Sequence, residues 1–316
     1  MTESNKPNLS VKLGEINLKN PVVMCSGTFA NGIEYSNFYD ISELGAITTK
    51  SYSLKGKGGN KPPRIWETAC GVLNSIGLQN DGIESFLNDH LPKIKDMNDN
   101  IILSFFGESC EEFKELALAV KIVKTNILAV ELNLSCPNVE KGGMIFCSMP
   151  EEVEKITNAV KEILNIPVIV KLSPNTDDVI MIRSAKRAKN GGAEAISLIN
   201  TLVGTAVDIE NIKPRLGNVL GGLSGPAIKP IALAKVYTLG NENILPIIGM
   251  GGICTWNDAV EFLLMGANAI GIGTANFFDC CVGLKVIKGV SDYLESKDID
   301  DVNKIIGKLS NKKIVE

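Results

Sequence analysis

The chain has 316 residues, 45% of them hydrophobic and 22% charged, with a formal net charge of −4. That balance suits a globular protein with one large core and excludes a basic nucleic-acid footprint or a polybasic membrane patch. No stretch nears the roughly 18 apolar residues that cross a bilayer, and the polar start MTESNKPNLS lacks a signal-peptide core, so the expectation is a cytoplasmic protein.

The segment Leu9–Asn20 predicts a small hairpin at the start of the chain. Eight short apolar, β-branched runs then follow: Val22–Ser26, Ala46–Ser51, Ile101–Gly107, Leu128–Ser135, Pro167–Ser173, Ala195–Thr201, Leu245–Gly251 and Ala269–Thr274. Near-continuous apolar character without polar alternation predicts strands buried on both faces. Between most of them the apolar spacing turns helical, over Glu111–Lys124, Glu151–Leu164, Asp178–Asn190 and Trp256–Met265. Pro150 suits a helix start, and Gly191, Gly192 and Gly266 stand where C-caps belong. Strand and helix alternating eight times in about 300 residues predict a parallel sheet closed into a (β/α)8 barrel, an α/β fold spanning residues 1–316 as one domain. CSGTFANG after the first strand is a poor dinucleotide fingerprint, which argues against an open doubly wound sheet.

Eight cysteines, at 25, 70, 110, 136, 147, 254, 280 and 281, form no CxxC or other metal spacing and read as free thiols. The single histidine, His90, reads as a surface residue, which sets aside mechanisms that need a catalytic histidine.

In such a barrel the chemistry lies at the C-terminal ends of the strands. Those ends carry Cys25-Ser26-Gly27-Thr28, Thr49-Lys50-Ser51, Asn133-Leu134-Ser135-Cys136-Pro137-Asn138, Lys171, Asn200-Thr201, Gly251-Gly252 and Gly273-Thr274. The glycine turns after strands 7 and 8 read as a phosphate cradle made of backbone N–H groups, or else as tight turns that need positive φ. Lys171 ends the run PVIVKLSP; its ammonium suits the edge of a flavin that becomes negative on reduction, or a structural ion pair. Lys50 suits a substrate carboxylate, with the same alternative. Cys136 suits a base held over a cofactor, or an inert filler. The loop Asn74-Ser75-Ile76-Gly77-Leu78-Gln79-Asn80 suits a ring of alternating donors and acceptors, or an ordinary surface turn.

Together CSGTF, TTKS, NSIGLQN, NLSCPN, VIVKLSPN, LINT, GGLSGPAIKPIAL, IIGMGGI and IGIGTANF resemble the dihydroorotate dehydrogenases of the first class, over nearly the whole chain. KGGMIF resembles the NAD-linked subtype, in which a second, ferredoxin-reductase-like electron-transfer subunit carries FAD and a [2Fe–2S] cluster. The resemblance implies oxidation of (S)-dihydroorotate to orotate in pyrimidine biosynthesis. It implies that Cys136 removes the C5 proton while hydride leaves C6 for FMN. Substrate contacts would come from Lys50, Asn74, Ser75, Ile76, Gly77, Leu78, Asn133, Asn200 and Thr201. FMN contacts would come from Ser26, Lys50, Ser51, Asn133, Lys171, Ile199, Gly225, Gly251, Gly252, Gly273 and Thr274. The family usually ends its third strand with an asparagine that meets the flavin; LSFFG puts the shorter Ser104 there. Cys147 replaces a common glycine. The implied assembly is a homodimer of this chain flanked by two partner subunits. Rival readings are the fumarate-linked subtype, a flavin barrel acting on dihydropyrimidines, and a flavoprotein that only relays electrons.

Overall fold

The computed structural model describes residues 6–98, 100–123, 127–135, 137–138 and 144–309, with backbone alone for 137, 138 and 144. Eight parallel strands close into a barrel in chain order: β1 (Val22–Met24), β2 (Ala46–Thr48), β3 (Ile101–Phe105), β4 (Ala129–Asn133), β5 (Val168–Lys171), β6 (Ala195–Leu198), β7 (Ile247–Met250) and β8 (Ala269–Ile272). All eight expected runs are strands, each ending earlier than its apolar run, so Ser26, Lys50, Ser51, Ser135 and Asn200 stand on the loops of the rim. The four expected helices form over Cys110–Ile122, Pro150–Ile163, Asp178–Asn190 and Trp256–Leu264.

Every residue of these strands is buried, as expected for a sheet lined by the barrel interior and an outer ring of helices. The expectation of unbroken apolar character fails on the inward face. Ser104, Glu131, Asn133, Lys171 and Ser197 interrupt it, and register sets Glu131 beside Ser104, and Lys171 beside both Asn133 and Ser197. Their neighbours Val130, Leu132, Val168 and Val170 alternate to the other face, the period of two that any strand imposes. The interior is therefore apolar toward the strand starts and polar toward the strand ends.

Two attachments close the barrel. The hairpin Val11–Leu13/Ile16–Leu18 buries its four apolar residues against the core, and its turn packs on Glu194 at the entrance to β6, where the Glu15 amide donates to the Glu194 carboxylate at 3.2 Å. At the other end, insertions after β2 and β6 combine into a four-stranded antiparallel sheet, in the order Leu202–Gly204, Gly221–Ser224, Gly71–Asn74, Ile65–Thr68. No apolar run marks this sheet, because three of its strands are short and carry glycine and the fourth, Ile65–Thr68, is largely exposed.

Candidate functional site

The polar floor is one connected network. Glu131, 2% exposed, accepts from Ser197 Oγ at 2.8 Å through Oε2 and lies 3.1 Å from Ser104 Oγ through Oε1. Ser104 and Ser51 Oγ are 3.1 Å apart, and Asn133 Nδ2 donates to Ser51 Oγ at 3.4 Å. The single Ser104 proton goes to the carboxylate, so Ser51 donates to Ser104 and receives from Asn133. Every group in that relay then has a consistent direction, ending on a buried negative charge.

Lys171 closes the network electrically. Its Nζ lies 3.7 Å from Glu131 Oε1, with both side chains buried. At that distance the two charges attract without a hydrogen bond, and among the described residues the Lys171 ammonium donates none. Lys171 thus has an acid beside it, as the ion-pair alternative expected, and its ammonium still holds donors to spend. Lys50, two residues beyond β2, is half-buried, its backbone amide donates to Ala30 O at 2.9 Å, and among the described residues its ammonium has no ion-pair partner.

The opposite wall is backbone. Gly251, Gly252 and Gly225 have φ of +132°, +75° and +92°. A Cβ at Gly252 would stand 2.8 Å from the Gly225 carbonyl oxygen and 2.9 Å from the Lys229 amide nitrogen. One at Gly225 would lie 3.6 Å from Thr274 Cγ2. The turns after β7 and β8 and the turn opening Lys229–Asn241 therefore converge, and side chains at these positions would fill the space between them. At Gly273 a built Cβ would meet Thr28 Oγ1 at 3.7 Å and Cys25 Cβ at 3.8 Å, ordinary contact distances. Lys229 does not face the cradle with its charge, because its ammonium is held by Asp258 at 2.7 Å and by Glu261 at 3.0 Å.

The inserted sheet brings the remaining candidates over the mouth. Asn74 ends a strand and pairs with Gly222, to whose carbonyl its Nδ2 donates at 3.1 Å. A Cβ on Gly222 would stand 2.2 Å from Thr201 Oγ1, so the Asn74 and Asn200-Thr201 segments share one corner. Ser75 Oγ accepts from Asn60 Nδ2 at 2.9 Å and Asn218 Nδ2 at 3.1 Å, which fixes the loop from both insertions. Ile76, Gly77 and Leu78 remain half-buried, with φ of +74° at Gly77 and +55° at Leu78. Ser26, Asn200, Thr201, Gly251, Gly252 and Gly273 are likewise half-buried, whereas Ile199, Gly225 and Thr274 are buried beneath them.

Cys136 lies outside the described residues. Just before it, the Ser135 amide donates to Asn133 Oδ1 at 3.3 Å, and Ser135 Oγ is buried with no hydrogen-bond partner among the described residues. Other thiols of the barrel are poor bases: burial pushes Cys25 up to about 12 and Cys147 to about 11. Ser104 is fully buried with its hydroxyl committed to Glu131 and Ser51, so it acts beneath Ser51. His90 is half-buried on the helical segment after β2, its ring beside Tyr52 and its Nε2 3.7 Å from Asp81, and none of the rim groups bonds to it. The apolar-run reading overlooked Glu131, Ser197, Asn60 and Asn218. The alternation Glu131-Asn133-Ser135 was the available signal for the first.

A family model described as dihydroorotate dehydrogenase matches residues 8–296. A relative from Thermoanaerobacter sp. (strain X514), the catalytic subunit of dihydroorotate dehydrogenase B (NAD(+)), is 47% identical over 302 residues, covering 96% of this chain and 99% of its own. The protein of the same description from Caldicellulosiruptor bescii is 48% identical over 303 residues, with the same coverage of both chains. A putative dihydroorotate dehydrogenase A (fumarate) from Aquifex aeolicus is 47% identical over 301 residues, covering 95% and 97%. Among solved structures, DHODH from Eimeria tenella in complex with ferulenol superposes with a TM-score of 0.77 at 21% identity, over 99% of this chain and 91% of that one, a likeness of fold.

Proposed function

The chain belongs to the dihydroorotate dehydrogenase family, and from that premise we propose that it is the catalytic subunit of an NAD-linked enzyme that oxidises (S)-dihydroorotate to orotate. The observation that carries the reading is that one end of the barrel gathers a glycine cradle, a buried lysine with unspent donors and a rim lysine with no ion-pair partner among the described residues. A barrel gains no stability from gathering such groups, since each buried polar atom must find a partner.

The residues present fit FMN. Gly225, Gly251, Gly252, Gly273 and Thr274 would take the phosphate on backbone N–H groups, in space that side chains would fill. Ser26, Lys50, Ser51, Asn133, Lys171 and Ile199 would line the ring, with Ser104 holding Ser51 in place. Bound FMN supplies the hydride acceptor for C6 of the substrate. Lys171 would meet the negative charge that reduction leaves, and Glu131 stands 3.7 Å from that ammonium in the dry interior.

Lys50 would hold the substrate carboxylate, a role that suits a half-buried rim ammonium with no ion-pair partner among the described residues. Asn74, Ser75, Ile76, Gly77, Leu78, Asn133, Asn200 and Thr201 would fix the ring, the amides reading its alternating donors and acceptors. Cys136, three residues beyond Asn133, would take the C5 proton as its thiolate. The electrons would leave through a partner subunit carrying FAD and a [2Fe–2S] cluster, in an assembly of two of each chain about a homodimer of this one. The chain would act as one domain. No helix among the described residues is long and apolar enough to cross a membrane.

The test is anaerobic. Dihydroorotate should bleach the yellow isolated chain, and uracil should leave its photoreduced form unoxidised. An unbleached, FMN-loaded chain would overturn the substrate assignment. The Aquifex relative's name favours one second reading, direct use of fumarate. Turnover with fumarate by the isolated chain would support it, and NAD reduction only with the partner present would exclude it.

A further inference from the structure

Between the turn after β8 and the helix Val282–Ser296, three side chains stand together that the reaction does not use. The ligand atoms of Asp279, Cys280 and Cys281 all lie within 4.8 Å of one another, and the two sulfurs are 3.8 Å apart. A tetrahedral cation with metal–sulfur bonds of about 2.3 Å holds two sulfurs about 3.8 Å apart, so the thiols already stand at ligand spacing. The segment is also well fixed. The Asp279 amide donates to Ala275 O at 3.0 Å, the Cys281 amide to Asp279 Oδ1 at 3.1 Å, and the Lys285 amide to Cys281 O at 3.2 Å.

A fourth donor is independent of this segment. Tyr39 sends its hydroxyl into a buried position with no hydrogen-bond partner among the described residues. Burial first, and then the neighbouring Cys281 thiol, push that phenol's pKa up, which sets the sulfur among its neighbours. A buried hydroxyl without a partner costs about 1–3 kcal/mol, and a cation between it and the sulfurs would remove that cost. Cys281 also stands at the N-cap position of a 15-residue helix. Lys285, on Asp279 Oδ2 at 2.6 Å, is 68% exposed and free to swing away when a stronger positive charge arrives.

We propose that Cys280, Cys281 and Asp279, with the Tyr39 hydroxyl, form a site for one thiophilic divalent cation of the zinc and cadmium type. Soft thiolates select such ions over magnesium or calcium. Neither cysteine belongs to a CxxC spacing, and the run Asp279-Cys280-Cys281 becomes a candidate site only once the fold brings its three ligand atoms within 4.8 Å of one another.

The experiment titrates Cd²⁺ into the FMN-loaded chain under a phosphine reductant and follows thiolate-to-cadmium charge-transfer absorbance. The expected result is saturation at one ion per chain, with the intensity of two thiolates. Cys280→Ser/Cys281→Ser should abolish it, while Cys70→Ser, Cys254→Ser and Cys136→Ala should leave it intact. Tyr39→Phe should weaken binding roughly tenfold and keep the charge-transfer band. Should the double variant lose its flavin, Cys281→Ser alone should halve the band at unchanged flavin absorbance. A band that survives loss of both thiols, or binding that never saturates at one ion, overturns the proposal.

Discussion

The turns after β7 and β8 present glycine backbone to the mouth, whereas β3, β4 and β6 present polar side chains whose hydrogen bonds end on Glu131, and β5 sets the Lys171 ammonium beside it. On the first wall, specificity comes from what is missing: a Cβ at Gly252 would meet a carbonyl oxygen and an amide within 3 Å. On the second it comes from desolvated charge, since Glu131 and Lys171 have left water and hold each other at 3.7 Å. The glycine wall can bind an anion yet moves no proton. The charged wall can stabilise a change of charge yet is costly to keep buried. Substitutions on the two walls should therefore fail in different ways.

The largest expected effect is on the chemistry and not on cofactor binding. Cys136→Ala should slow flavin reduction by dihydroorotate about 10²- to 10⁴-fold, the usual worth of a positioned general base, while FMN stays bound. Stopped-flow bleaching reads this directly, and a near-native rate would remove Cys136 from the chemistry. Glu131→Ala comes next. It leaves the Lys171 ammonium buried without its partner, which costs about 3–5 kcal/mol of stability. Urea unfolding of the flavin-free chain should show that loss, and Glu131→Ala/Lys171→Met should recover most of it. A double variant no better than the single would mean that the pair is not a unit.

How far each wall was legible in the sequence follows from the same physics. Gly251-Gly252 and Gly273-Thr274 pointed to an anion cradle because glycine turns at the ends of the last two strands leave backbone N–H groups uncovered at one side of the mouth. The eight strands and the hairpin were legible through their apolar runs and turn residues. Glu131 was passed over because one acid in LAVELNLS looks like noise until Ser104 and Ser197 arrive from neighbouring strands. Lys171 was seen, but its distance to an acid is a property of register, and register is not written locally. The sheet that carries Asn74 to Thr201 joins two insertions more than a hundred residues apart, which no local pattern reports.

On the glycine wall a smaller effect is expected, with the opposite signature. Gly252→Ala forces a left-handed φ of +75° on a residue with a Cβ and pushes that carbon against Lys229 and Gly225. Strain of this kind costs about 1–3 kcal/mol, so FMN affinity should fall roughly tenfold or more. Once saturated with FMN, the variant should reduce its flavin at a near-native rate. A normal flavin affinity would show that the cradle is only a pair of tight turns.

The smallest effect tests what braces that wall. Asp258 completes the capping box of the helix Trp256–Leu264, whose N-cap is Thr255, by accepting from the Thr255 amide at 2.8 Å, and holds Lys229, the residue whose amide abuts Gly252, at 2.7 Å. Burial works against the Asp258 carboxylate, but the Lys229 ammonium and the Cys254 and Thr255 donors outweigh it, so its pKa lies below the usual 3.8. Lys229 is correspondingly raised above 10.5, chiefly by Asp258. A depressed acid contributes its stability above its unfolded pKa and loses it as pH falls; a raised lysine contributes below its unfolded pKa and loses it as pH rises. The brace is therefore complete between about pH 4 and about pH 10. Asp258→Asn should cost about 0.5–2 kcal/mol at pH 7, the range for a lost helix cap, and the gap to the native chain should close as the medium is acidified through the folded Asp258 pKa. A gap that stays constant down to pH 2 would mean that the cap's geometry, rather than its charge, steadies the glycine turn.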